Sequence, residues 1–156
     1  MSNFFTSSIG KKFIMSVTGI FLMLFLIVHL TVNSLLMVSA DAFNEAAHFM
    51  VTNPAIRIVE PVLALGFIVH IIFSGFITLQ NQTTRPIKFK KLNRKGSTTW
   101  PARNMFILGG LVLIFLVIHL INFYWKIRFG EISTTTVAGV EMENVYGFVY
   151  TLFINW

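Results

Sequence analysis

The chain contains no cysteine among its 156 residues, which excludes a disulfide, a thiolate-bound iron–sulfur cluster and a covalently attached haem c. Any redox chemistry must use a non-covalent cofactor or centres on another subunit. Acid is scarce too, with six Asp and Glu against twelve Lys and Arg. Apart from Glu60 at one end of a run, no carboxylate enters the long apolar runs. That argues against a proton relay, which normally brings Asp or Glu into the spans. Only 12% of residues are charged while 55% are apolar, and the mean hydropathy is strongly positive. Such a composition does not suit a soluble domain of this length. It indicates an integral membrane protein and a poor candidate for a self-contained enzyme, and no catalytic residue is assigned.

Three runs have the length that a bilayer core requires, roughly 20 residues for about 30 Å. They cover residues 13–38, 56–79 and 105–124, and they predict an all-α membrane helical bundle in a single domain, 1–156. The first run follows Lys11 and Lys12 as a secretory signal would, but its apolar stretch is much longer than the usual h-region of roughly 7 to 15 residues. It reads as a retained anchor. The last stretch, Val145 to Trp156, is apolar but about half the length of a span, and it reads as the start of a fourth helix or as an interfacial segment.

Charge placement gives the expected orientation. Between the second and third runs lie Arg85, Lys88, Lys90, Lys91, Arg94, Lys95 and Arg103 without an acid. With Lys11 and Lys12, this places the amino terminus and that loop on the cytoplasmic side. Asp41, Glu45, Glu60, Glu131, Glu141 and Glu143 fall on or near the opposite face. The net charge of +6 therefore needs no nucleic acid to explain it. The loop sets topology and meets anionic lipid headgroups, and it also offers a docking surface for a cytoplasmic subunit.

Three of the four histidines, His29, His70 and His119, lie deep in these runs. An ionisable side chain at that depth is costly unless partnered, and it marks a functional site by default. Imidazole without a carboxylate partner points first to a metal. Counted from the cytoplasmic ends at about 1.5 Å per residue, His29 and His119 lie roughly 24 and 21 Å in, and His70 roughly 14 Å. The first two are level, and histidines at matched depth on two helices can clamp one haem iron. Gly66, Ser74 and Gly75 beside His70, and Gly109 and Gly110 before His119, would let a flat ligand approach the backbone. They equally suit ordinary small-residue helix packing. The alternative for each histidine is a buried imidazole bonded to a carbonyl or hydroxyl. His48 lies in an amphipathic stretch, Asp41 to Met50, and reads as an interfacial histidine or as a neighbour of an outward quinone pocket.

The segment Ser16-Val17-Thr18-Gly19 with His29 ten residues after it, His70, Thr98-Thr99-Trp100 and His119 together resemble the cytochrome b membrane anchor of succinate:quinone oxidoreductases and quinol:fumarate reductases. The chain is most similar to the single-subunit, two-haem type of bacteria that use menaquinone. The resemblance implies a multi-pass protein of the bacterial inner membrane, partnered by flavoprotein and iron–sulfur subunits, carrying electrons to or from quinone and performing no chemistry on dicarboxylates. It implies two haem b groups, with His29 and His119 as the distal pair and His70 as one proximal ligand. Such anchors have five helices and a fourth axial histidine beyond residue 156, so the chain is expected to be truncated. Ser16, Trp100, Arg103 and Asn104 are the candidates for haem propionates. Asn33 and Asn122 are placed to face the distal haem or a quinone carbonyl, or to serve as interhelical glue. Glu45 and Glu60 are the candidate quinone-site carboxylates. A haem-free transporter or channel whose histidines bind protons or a transition metal, and a purely structural anchor, are the competing classes.

Overall fold

The computed structural model describes residues 7–84 and 99–154. Of the basic loop, Arg85, Lys88, Lys90, Lys91, Arg94 and Lys95 lie outside the described residues, as do Thr98 and Trp156. Two compact units are present. One holds the described residues of Met1–Gly75 and Glu131–Trp156, and the other those of Phe76–Gly130.

Helix α1 spans Ser8–Ser34, and the Ser7 side chain caps it by accepting from the Gly10 backbone N–H at 3.0 Å. A short 3-10 turn, Leu35–Met37, leads into α2, Ala40–Thr52. The Asn53–Pro54 pair then breaks the chain direction: the Asn53 side chain accepts from the Ala55 N–H at 2.9 Å, and Pro54 begins α3, Pro54–Thr83. Proline suits a first helical position because its missing N–H has no partner there anyway. Pro61 sits inside α3, where it deletes one backbone hydrogen bond, a loss that spanning helices tolerate.

In the second unit, α4, Trp100–Arg103, precedes α5, Met105–His119. The helix continues as a π-helical segment, Leu120–Trp125, and ends in α6, Lys126–Phe129. Ser8–Met37, Pro54–Asn81 and Met105–Phe129 are each long and apolar enough to cross a membrane. All three are longer than the sequence-based runs, although the first ends at Met37. The third exceeds its run most, because Lys126 and Arg128 continue the helix and long basic side chains can lift their charge to the interface.

The expectation of an all-α bundle gains one β element. Strands β1, Thr134–Val137, and β2, Val140–Glu143, form an antiparallel hairpin with Thr134 opposite Glu143 and Val137 opposite Val140. Its two turn residues, Ala138 at φ 52° and Gly139 at φ 83°, have the positive φ values that two-residue hairpin turns require. Helix α7, Val145–Ile154, follows.

Apolar burial is concentrated where α2, the hairpin and α7 meet. Phe43, Val137, Met142, Val145 and Val149 are buried there, together with the polar Asn44. Asn44 crosses about a hundred residues of sequence: its carbonyl oxygen accepts from the Tyr146 N–H at 2.8 Å, and its amide donates to Asn144 Oδ1 at 3.4 Å. By contrast, the spanning helices present large exposed apolar surfaces, as helices in contact with lipid do.

Within the first unit, α1 and α3 pack along one stripe each. Thr18, Phe21, Leu22, Phe25 and His29 repeat at helical spacing on α1, as do Leu63, Gly66, Phe67 and His70 on α3, and all are half-buried. Phe25 meets Phe67 edge-on, with ring centroids 6.3 Å apart. A side chain at Gly66 would start 3.0 Å from the Phe21 ring, so glycine is what lets the two helices come this close. Gly66 therefore serves helix packing.

Candidate functional site

His70 faces α1, and Thr18 Oγ1 lies 3.0 Å from its Nδ1. The imidazole also lies close enough to α1 that a Cβ on Gly19 would stand 3.4 Å from its Cε1. Two residues of the Ser16–Gly19 segment thus form the wall behind His70. Ser16 itself is exposed, since two residues along a helix is more than half a turn away.

Thr18 also lies 2.8 Å from the Ile14 carbonyl oxygen and 3.2 Å from that of Met15. Carbonyl oxygens can only accept, and a hydroxyl has one proton. If that proton went to His70, three oxygens would face one another without hydrogen between them. The hydroxyl therefore donates back to its own helix and accepts from His70 Nδ1–H.

His29 lies eleven residues beyond Thr18 on α1, a rise of about 16 Å. The two histidines on the spanning helices of this unit, His29 and His70, therefore stand at two depths, His29 being the farther from the start of α1. Phe25 stacks on the His29 ring at 5.3 Å between centroids. The Asn33 amide donates to the His29 backbone carbonyl at 2.8 Å and points to His29 Nε2 at 3.3 Å. An amide nitrogen only donates, so this contact makes Nε2 an acceptor. A metal bound at Nε2 would have to displace that longer contact, while the bond to the carbonyl could persist.

In the second unit, the rings of Phe115 and Phe123 flank His119 at 5.6 and 5.0 Å. The π-helical segment begins at the next residue. Asn122 lies in it, and its Oδ1 accepts from the Lys126 ammonium at 3.3 Å. His29 and His119 belong to different units. Trp100 and Arg103 are exposed on α4, and the Asn104 amide donates to the Trp100 carbonyl at 3.1 Å.

Glu45 is exposed on α2 and Glu60 half-buried on α3. His48 lines a cleft of about 320 Å³ with Ala47, Val51, Thr134, Glu141 and Met142. The amphipathic reading of residues 41–50 said nothing of this cleft, because its far wall is the hairpin.

The donor set suits a haem better than a bare ion. Among the described residues no group of three or more His, Asp or Glu could hold a metal, whereas a haem iron takes only axial ligands from the protein. A Cβ at Gly75, Gly109 or Gly110 would meet nothing within 4 Å, leaving open surface for a flat ligand or a lipid chain. Sequence reasoning quoted Thr18 only as part of a motif and did not foresee its bond to His70. A hydroxyl at the depth of a histidine on the next helix was the available signal. No family model matches the chain, and no curated protein or solved structure matches it either.

Proposed function

We propose that the chain is a haem b-binding membrane anchor of the succinate dehydrogenase and fumarate reductase class. In this role it carries electrons between a cytoplasmic iron–sulfur subunit, itself joined to a flavoprotein subunit, and quinone in the bacterial inner membrane, menaquinone by the resemblance. The observation that carries this reading is the seating of His70 against Thr18 and Gly19, which leaves its Nε2 lone pair on the side away from that bond. A neutral imidazole whose other nitrogen donates to a fixed oxygen is the usual form of a metal-ligating histidine. His29, about 16 Å farther along, supports a second site at another depth, with His119 as its partner on the third span.

Bound haem would supply one-electron transfer at each depth. The residues of the chain would supply axial nitrogens, Phe25, Phe115 and Phe123 would keep water from the outer ligands, and Ser16, Trp100 and Arg103 would meet propionates. Asn33, Asn122 and Glu45 would serve the outer haem edge or quinone.

The test is the reduced-minus-oxidised absorption spectrum of the purified protein. Bis-histidine haem b gives sharp bands, and neither a haem-free transporter nor a structural anchor gives any. Replacing His119 by Ala should remove the signal of one haem and leave that of the other. An unchanged spectrum would reject the His29–His119 pairing.

A further inference from the structure

The hydrogen-bond geometry around Thr18 carries a specific consequence for His70. The Thr18 proton is committed to the carbonyls of Ile14 and Met15, at 2.8 and 3.2 Å. What remains toward the imidazole is a lone pair, 3.0 Å from Nδ1. Thr18 and His70 lie on different helices, 52 residues apart, so their register depends on the close approach of α1 and α3 at Gly66. Gly19 lies beside the ring, where an added Cβ would stand 3.4 Å from Cε1.

We propose that Thr18 is the positioning residue for His70: it locks the imidazole as the Nδ1–H tautomer and turns Nε2 out as the ligating nitrogen. This rests on the haem-anchor reading for the identity of the ligand, but not for the tautomer. Two physical effects follow. The ring is held in one orientation before iron arrives, so less freedom is lost on ligation. The bond from Nδ1–H to an oxygen also raises the basicity of Nε2, which favours the oxidised iron and lowers the potential of the haem that His70 binds.

Nitrogen-15 NMR of the histidine-labelled full chain, prepared in membranes without haem so that Nε2 is not yet ligated, reads the tautomer directly, with the His70 signal identified by its loss in His70→Gln. The Nδ1–H form is expected in the unmodified protein, and a mixture of tautomers in Thr18→Val, which keeps the shape and removes the hydroxyl. Thr18→Ser, which keeps the hydroxyl, should restore the original signal. In redox titration, Thr18→Val should raise the midpoint of one haem component only and weaken haem retention about tenfold, while Thr18→Ser stays near the unmodified protein.

An Nε2–H tautomer in the unmodified protein overturns the proposal, and that measurement requires no variant to fold. So does a Thr18→Val protein whose nitrogen spectrum and midpoints are unchanged. Absence of haem bands with the Nδ1–H tautomer in place rejects the haem reading instead, while the Thr18 assignment stands.

Discussion

Each intramembrane histidine has a neighbour on its own or an adjacent helix that a general rule about buried imidazole would demand but not name: Thr18 for His70, Asn33 for His29, and a pair of phenylalanines around His119. The same rule applies to Asn44, which is only 2% exposed and binds both Tyr146 and Asn144. Replacing Asn44 by Ala would leave the half-buried Tyr146 N–H without its acceptor, a loss at the lower end of about 1–3 kcal/mol. Asn44→Asp keeps an acceptor for Tyr146 and should cost less. Hydrogen exchange at the Tyr146 amide checks this: it should accelerate markedly in Asn44→Ala, and equal protection in both variants would show that Asn44 does not hold the amide. Nothing in the sequence around Asn44 announces this role, because its partners lie a hundred residues away.

At the scale of elements, the three spans were legible because hydropathy over twenty residues is a strong signal, and because α1 and α3 carry no long polar interruption. Their ends were less legible. Ser7 and Asn53 terminate helices through side-chain bonds to backbone N–H groups, whereas Lys126 and Arg128 extend one past the apolar run. The hairpin was not legible at all: its strands have four residues each, and its turn uses alanine where asparagine or glycine is the usual marker. That choice has a testable energetic consequence. Ala138 at φ 52° bears a steric cost of roughly 1–2 kcal/mol that glycine avoids. Ala138→Gly should therefore raise the melting temperature of the detergent-solubilised protein or leave it unchanged, because glycine also adds freedom to the unfolded chain. Gly139→Ala, at φ 83°, should lower it. A higher melting temperature in Gly139→Ala would refute the turn geometry. The π-helical segment after His119 likewise has no marker in sequence; such segments are rare and occur often at functional sites.

For the whole molecule, the cluster formed by α2, the hairpin and α7 supplies a check on topology that is independent of charge. Helix α2 follows one span and the hairpin follows three, so both must emerge on the same side if every span crosses. Asn44 and Val145 meet in one buried cluster, as that parity demands. Had either the second or the third run alone failed to cross, the two halves of the cluster would lie on opposite sides of the bilayer. By the same parity the basic loop, after two spans, is expected on the other side, and its excess of Lys and Arg makes the cytoplasm the expected one. The absence of native cysteine makes the prediction easy to test, since a single introduced thiol is the only one present. Asp41→Cys on α2 and Thr136→Cys on the hairpin, both exposed positions, should react with a membrane-impermeant maleimide added outside intact spheroplasts, and Ser97→Cys in the basic loop only after lysis. Opposite behaviour of positions 41 and 136 would break the three-span arrangement itself. Reversal of all three would leave the spans intact but invert the orientation, and the basic loop could then no longer meet a cytoplasmic iron–sulfur subunit.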